Sequence, residues 1–428
     1  MERVNVAIIG AGTRGQAYAD YAAEHPEEMN IIAVAEPNPE RRRQFQERHG
    51  VDDTYAFSDA EALLAQERLA DAVVICTQDR DHYAQTMLAL ARGYHVLLEK
   101  PMSPSPEECI ALGERSRDAG VVLSICHVLR YTVFFTKIKE LLVSGKIGRL
   151  MTVQLNEYVG YWHQAHSFVR GNWRNSVESS PMILAKACHD MDIIQWLIDA
   201  ECRYVSSFGS LSHFRSENAP EGAPARCLDG CPVMDSCAYY APKQYLTEHI
   251  GWPTSMISTD LSYEGRVKAL QEGPYGRCVY HCDNDVVDHQ VVNFEFANEV
   301  AAVFTMSAFS RDGGRFMQIT GTEGEIRAAM DKNELILKRF DTGEEQLISL
   351  RNPVGNHGGG DTNLMRDFIR LVRSGGCEKG LTSAENSIQS HLLAFAAEAS
   401  RLEKRTIDMR RFVEEKKLSS EQAIRLST

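Results

Sequence analysis

Two short stretches hold ionisable side chains at spacings that could move a proton. Glu99-Lys100-Pro101 closes the apolar run 94–98, and Ala185-Lys186-Ala187-Cys188-His189-Asp190-Met191-Asp192 falls within a helix expected over 181–198. At helical spacing Lys186, His189 and Asp190 are i, i+3 and i+4, so one face carries all three. A lone histidine beside a carboxylate is ordinarily a structural pair, but three ionisable groups on one stripe among Ile193, Ile194, Trp196 and Leu197 point to a site. Lys100 stands where proline halts further helix or sheet pairing. Such a lysine is commonly a solvated charge; at the carboxyl edge of a parallel sheet it can instead donate to a hydroxyl and steady the alkoxide that develops when the C–H beside it leaves as hydride.

That hydride needs an acceptor, and residues 4–15, Val-Asn-Val-Ala-Ile-Ile-Gly-Ala-Gly-Thr-Arg-Gly, supply the setting for one. Gly10 allows a tight strand-to-helix turn, Gly12 lets backbone approach a pyrophosphate, and Gly15 lets the helix pack closely on the strand. The helix N-terminus then faces the anion. A second strand, 31–35, ends in Glu36 about 20 residues beyond the last glycine, where a carboxylate accepts from adenosine ribose hydroxyls. Glu36 would repel a 2′-phosphate, which favours NAD, while Arg41, Arg42 and Arg43 could offset that repulsion and admit NADP. Further apolar runs at 71–77, 94–100 and 121–126 alternate with helix-like stretches and read as buried parallel strands, with Thr77, Lys100 and His127 at carboxyl ends. The expected cofactor set is Gly10, Gly12, Thr13, Arg14, Gly15, Glu36, Thr77, His82, Glu99 and Lys100.

Beyond His127 the pattern changes to apolar–polar alternation at 150–158, 203–214, 286–296, 300–309, 315–321, 325–330 and 335–340, which implies an antiparallel sheet. The expected fold class is therefore α/β: an N-terminal Rossmann domain over 1–127, then an α/β domain over 128–428 with a predominantly antiparallel, open-faced sheet. That open face invites a homodimer or homotetramer. Helices near 363–373 and 384–401 should pack back on both domains. Residues 215–284 form a long irregular insertion, unusual enough in a compact domain to suggest a function or its own clamp.

These motifs together, Gly10-Ala-Gly-Thr-Arg-Gly15, Glu99-Lys-Pro101 and the helix bearing His189, Asp190 and Asp192, resemble those of the glucose-fructose oxidoreductase, inositol dehydrogenase and MocA (Gfo/Idh/MocA) group of nicotinamide-dependent oxidoreductases, over nearly the whole chain. The resemblance implies that Lys100 and His189 sit beside the nicotinamide and that His189 accepts the proton when an alcohol is oxidised. Many members carry an aspartate four positions before the histidine; this chain has Ala185 there and Lys186 next. An ammonium binds hydroxyl oxygen only as a donor, so substrate orientation and the His189 pKa would differ from the usual member.

The segment 158–174 is rich in aromatic, histidine and arginine side chains, which suit a carbohydrate: flat faces for C–H groups and multidentate donors for hydroxyls. Tyr161, Trp162, His166, Arg170, Trp173 and Arg174 are the substrate candidates, with His357 from the loop His357-Gly-Gly-Gly-Asp361, where Asp361 could simply cap a helix. Cys227, Cys231, Cys237, Cys278 and Cys282 cluster inside the insertion. Four thiolates could close a structural zinc site that clamps it, although the spacing is not a C-x2-C pair and five thiols exceed four ligands; unliganded thiols or a disulfide are the alternatives. The remaining cysteines read as small core residues.

A net charge of −13 with mixed signs leaves no basic stripe for nucleic acid and no polybasic membrane patch. No apolar run approaches the roughly 18 residues of a membrane span. The run from Met1 into the first strand leaves no room for a leader, placing the chain in the cytoplasm, where its eleven cysteines stay mostly reduced. The expected activity is NAD(P)-dependent hydride transfer from a hydroxyl of a sugar, glycoside or cyclitol, with His189 as base and Lys100, Lys186 and Asp190 around it. Two rivals stand beside it. A redox glycosidase would oxidise, eliminate the aglycone and return the hydride, drawing an extra base from Tyr161, His163 or His166. A non-catalytic NAD-binding regulator would have no use for the intact Lys100 and His189.

Overall fold

Runs of valine, isoleucine and alanine that must be buried on both faces form the first sheet. The structure, a computed structural model, describes residues 3–351 and 356–427; Met1, from which a missing leader is argued, lies outside them. Strands β1 (Val4–Ile9), β2 (Met29–Ala35), β3 (Ala56–Phe57), β4 (Ala72–Ile75), β5 (His95–Leu98) and β6 (Leu123–Ile125) are all parallel, in the order β3-β2-β1-β4-β5-β6. The order reverses between β1 and β4, and the crevice at their carboxyl ends is where such sheets bind ligands. One face buries Val6, Ile8, Val34 and Val74 against Tyr18 and Phe45. Leu364, Met365, Phe368 and Ile369 of the distant helix Gly360–Arg373 complete that layer, so the chain returns to finish its first domain.

The second sheet has nine strands: β7 (Leu150–Gly160), β8 (Cys202–Ser210), β9 (His289–Phe296), β10 (Ala301–Ser310), β11 (Gly314–Gly321), β12 (Gly324–Ala329), β13 (Glu334–Arg339), β14 (Glu345–Ser349) and β15 (Ile407–Asp408), in the order β14-β13-β12-β11-β7-β10-β9-β8-β15. Every pair is antiparallel except β7 with β10. A parallel pair needs a long crossover, and residues 161–300 supply one. One face buries Val153, Leu155, Val292, Phe294, Phe304 and Ile319 against helices Val133–Val143, Cys188–Ile198 and Ala384–Glu403. On the other face Gln154, Asn156, Tyr158, Val303 and Thr305 keep contact with solvent, as the open-faced expectation requires.

Two local expectations change. The helix over 181–198 is broken into Met182–Ala185 and Cys188–Ile198. An unbroken helix would have the Ala185 carbonyl accept from His189 N–H; Lys100 Nζ takes that carbonyl instead, at 2.6 Å. After β7 the chain winds into a helical turn, Tyr161–His163, and a wide π-type turn, Gln164–Arg170, whose residues are all buried. Among the described residues no helix is long and apolar enough to cross a membrane.

Candidate active site

Two of the three glycines of the first loop answer to a steric constraint. Gly10 has φ of 91°, and a Cβ there would lie 2.6 Å from the Cys76 carbonyl oxygen. A Cβ on Gly15 would meet the Gly10 carbonyl oxygen at 2.0 Å. Beside Gly12, by contrast, the space is open, and Gly12 begins the helix Thr13–Glu24 with no side chain capping its N–H groups. Uncapped donors next to open space are the chemistry a pyrophosphate needs.

Glu36 is buried, its Oε2 accepting from Ala11 N–H (2.9 Å) and its Oε1 from Asn38 N–H (3.0 Å) and Arg41 Nη1 (3.2 Å). A carboxylate oxygen accepts more than one bond, so capacity remains for a ribose hydroxyl. Of the three arginines only Arg41 pairs with this carboxylate; Arg42 binds the Glu36 carbonyl, and Arg43 turns to Glu40 and Glu47 on its own helix. Two other expected cofactor residues are bonded within the protein: the Thr77 hydroxyl donates to Gln85 (2.7 Å), and buried His82 holds the Pro101 carbonyl through Nδ1 (2.7 Å).

Arg14 points inward and ties three segments. Its Nε donates to Glu99 Oε1 (2.7 Å), its Nη2 and Nη1 to Asp361 Oδ1 and Oδ2 (2.8 and 3.1 Å), and the Tyr18 hydroxyl also donates to Glu99 (2.8 Å). Burial alone would raise the Glu99 carboxyl, but Arg14 and Lys100 hold it below its ordinary value. Asp361 therefore does more than cap a helix: it fastens the His357 loop, whose Nδ1 lies 3.2 Å from both carboxylate oxygens, to the glycine loop.

The helix Cys188–Ile198 presents His189 to one side and its carboxylates to others. His189 is 8 % exposed, and its Nδ1 is buried with no hydrogen-bond partner among the described residues. Burial first, then the Lys100 ammonium, His127, Arg315 and His357, hold the imidazole well below its ordinary value, so it is neutral and able to accept a proton. The His357 ring lies 6.2 Å from it.

Asp190 and Lys186 do not share that face. Arg315 clasps Asp190 with Nε at 2.7 Å and Nη2 at 3.1 Å, and its Nε also lies 2.9 Å from Glu157 Oε2. Lys186, at the helix break, pairs with Glu157 Oε1 at 3.0 Å. Burial pushes the Asp190 carboxyl up and Arg315 pulls it back. Asp192 is clamped by Arg130 at 2.6 and 2.7 Å, wholly buried. The sequence pattern does not single out Glu157 or Arg315. The available signal is Glu157 in the buried phase of β7, after Val153 and Leu155, where a carboxylate requires a cation.

The aromatic segment divides as well. Trp162 and His163 stack, and Trp252 from the insertion meets both edge-on, with ring centroids 5.3 Å from Trp162 and 5.0 Å from His163. Burial, Lys186, His166, Arg315 and Lys100 hold the His163 imidazole well below its ordinary value, which places it in the field of the same cations as His189. Tyr161 rests on Tyr239. His166, Arg170 and Arg174, expected on substrate, instead hold the insertion: His166 bonds Tyr245 (2.8 Å) and stacks on Tyr275, Arg170 binds the Arg277 and Tyr239 carbonyls (2.7 Å each), and Arg174 clasps Asp283 (2.8 and 3.0 Å). Trp173 donates to buried Asp79 (3.2 Å). The reason is common to all four: their partners lie in segments folded over them, which spacing along one segment does not reveal. The insertion also reaches the glycine loop, where the Thr13 hydroxyl donates to Met256 Sδ (2.9 Å).

Metal sites follow a similar correction. The five insertion cysteines are free thiols, and among the described residues no three have sulfurs all within 4.8 Å of one another. Tetrahedral zinc holds its sulfurs about 3.8 Å apart, from a Zn–S bond of roughly 2.3 Å, so the expected single-zinc geometry is not the one built. His127, Cys188 and His391 do bring ligand atoms within 4.8 Å of each other. However, His391 Nε2 accepts from Met102 N–H (2.9 Å) and its Nδ1 bonds the Ser387 carbonyl, so the lone pair a metal needs is spent.

Residues 4–127 match the family model described as an oxidoreductase family NAD-binding Rossmann fold, and residues 139–409 the model of its C-terminal alpha/beta domain. The chain is 25 % identical over 313 residues to YteT of Bacillus subtilis, covering 70 % of this chain and 72 % of that one. It is 28 % identical over 148 residues to D-glucoside 3-dehydrogenase of Escherichia coli, and 26 % identical over 221 residues to inositol 2-dehydrogenase 4 of Saccharopolyspora erythraea, alignments that span 34 % and 51 % of this chain and only 41 % and 60 % of those relatives. A levoglucosan dehydrogenase solved with NADH and levoglucosan shares the fold, with a TM-score of 0.72, 19 % identity and coverage of 95 % of this chain and 100 % of that one.

Proposed function

From the premise that this chain belongs to the Gfo/Idh/MocA oxidoreductase family, we propose that it oxidises a hydroxyl of a sugar, glycoside or cyclitol, with His189 taking the hydroxyl proton and Lys100 holding the oxygen. The observation that carries this reading is the bond from Lys100 Nζ to the Ala185 carbonyl. It sets an ammonium of the first domain at the break just before the helix that carries a neutral His189. A nicotinamide dinucleotide bound along Gly10–Gly15 supplies the hydride acceptor.

An ammonium has three donors, and the Ala185 carbonyl uses one; the others remain for the substrate oxygen, whose charge grows as the C–H bond breaks. His189 Nε2 accepts the proton at the same time. His357, anchored through Nδ1, closes the pocket with its other nitrogen turned to a further hydroxyl. Trp162, His163 and Trp252 form the aromatic surface for the ring C–H face. Lys186 and Arg315 are balanced by Glu157 and Asp190, so they orient the helix and add little net charge. NAD is preferred because the Glu36 carboxylate, already fixed by two backbone N–H groups, excludes a 2′-phosphate. The uncovered sheet face, with exposed Tyr204, Phe208 and Phe309, is where copies of the chain associate, and the protein works in the cytoplasm.

A second reading draws on His163. Its neutral imidazole among Lys186, Arg315 and Lys100 would serve a redox glycosidase as the base for the eliminated proton. NAD-loaded protein incubated with free sugars, cyclitols and aryl glycosides separates the two: NADH accumulating in proportion to product supports the dehydrogenase, and aglycone released without NADH supports the glycosidase. His189→Ala should abolish either turnover while NAD binding persists; unchanged turnover ends both readings.

A further inference from the structure

The insertion encloses a recess with no role in hydride transfer. Cys227, Cys231, Cys237 and Cys278 line it together with Arg170, Tyr239 and Tyr240. Cys282 does not; its thiol donates to the Cys278 carbonyl (3.2 Å). The count that was one too many for a metal site is thus reduced to four by the fold.

Arg170 is the independent sign that something anionic belongs there. Its side chain is fully buried, and it forms no ion pair with any carboxylate among the described residues. Two of its nitrogens reach backbone carbonyls, Nη2 also lies 3.7 Å from Cys227 Sγ, and Nη1 is buried with no hydrogen-bond partner among the described residues. Ala241 N–H points at the same sulfur, at 3.5 Å. A guanidinium cannot shed its proton to escape burial, so its charge calls for a compensating one nearby. Four thiols cannot supply it; thiolates held by a metal centre can.

The separation of the sulfurs decides the kind of centre. They stand too far apart for all to reach one zinc ion, whereas a cube of iron and sulfide binds cysteines at its outer corners and spreads them more widely. We infer that Cys227, Cys231, Cys237 and Cys278 ligate a four-iron, four-sulfide cluster, with Arg170 and the Ala241 N–H as donors to its sulfur shell. Each thiol loses its proton as it binds an iron, and the resulting negative centre offsets Arg170. The cluster staples a segment of little regular structure whose outer end carries Trp252 and Met256 to the pocket. This assignment stands whether or not the hydride-transfer reading does.

The test is iron and acid-labile sulfide measured on the full chain purified without oxygen, with visible absorption and electron paramagnetic resonance after reduction. About four of each per chain are expected. Cys237→Ser and Cys278→Ser should lose them, and Cys282→Ser should keep them. Arg170→Gln, which removes a positive charge beside the cluster, should lower its reduction potential. One zinc per chain and no iron overturns the cluster; no metal at all, or metal unaffected by Cys237→Ser and Cys278→Ser, overturns the site. Because the wild-type protein is itself assayed, misfolding of a variant cannot mask the answer.

Discussion

The glycine loop and the insertion touch where the Thr13 hydroxyl meets Met256, and they are built by opposite means. On the first side, and around the helix Cys188–Ile198, charged side chains from distant segments neutralise one another at short range: Arg14 with Glu99 and Asp361, Arg130 with Asp192, Arg315 with Asp190 and Glu157. Each pair is largely withdrawn from water and so holds position, and Arg315 also acts on the His189 imidazole. On the second side, rings stack on rings, thiols surround a recess, and little regular structure connects them. On the proposed function, the contrast is a division of labour: preorganised charge for the reaction, and an adaptable aromatic surface for the molecule on which it acts.

The sharpest way to break that division is His189→Ala, which should lower kcat/KM by about 10²–10⁴-fold, the usual worth of a general base, with NAD affinity unchanged by fluorescence titration. Arg130→Met leaves Asp192 buried without its partner and should cost about 3–5 kcal/mol in urea unfolding, far more than any single aromatic change in the insertion. Lys100→Met should reduce kcat/KM by about 10²-fold and also move its acid limb. His189 must be neutral to act, and the ammonium holds its pKa down. Activity in the wild type should therefore persist below the ordinary imidazole range near pH 6.5, and without Lys100 the limb should shift to higher pH; a limb that stays put would separate Lys100 from His189. The smallest effect belongs to the second side: Trp252→Ala should raise KM by about 10-fold, the worth of one aromatic contact of roughly 1–1.5 kcal/mol, with kcat nearly unchanged. An equal fall in kcat would show that the insertion serves the reaction as well as recognition.

Much of the fold was legible. Val4–Ile9 and its glycines, the parallel runs, and the alternation of the later strands each report on burial within a few residues, and most strand bounds differ by three residues or fewer. The helix break at Lys186 was not legible, because the carbonyl that an unbroken helix would have used is captured by a lysine 85 positions earlier. Periodicity placed Lys186, His189 and Asp190 on one stripe; the break and the partners Glu157 and Arg315 divided them. His166, Arg170 and Arg174 have the composition of a carbohydrate site, and only the folded insertion shows that they hold it in place.

By itself the sequence determined the parallel strands and the glycine turn of a dinucleotide-binding domain, since a glycine's φ and a strand's apolar run are local properties of backbone geometry. The tertiary structure decided which neighbouring charges stay free and which are spent on one another. That choice rests on Coulomb interactions and desolvation across a few ångströms between residues far apart in the chain, such as Arg315 with Asp190, and no spacing along one segment encodes it.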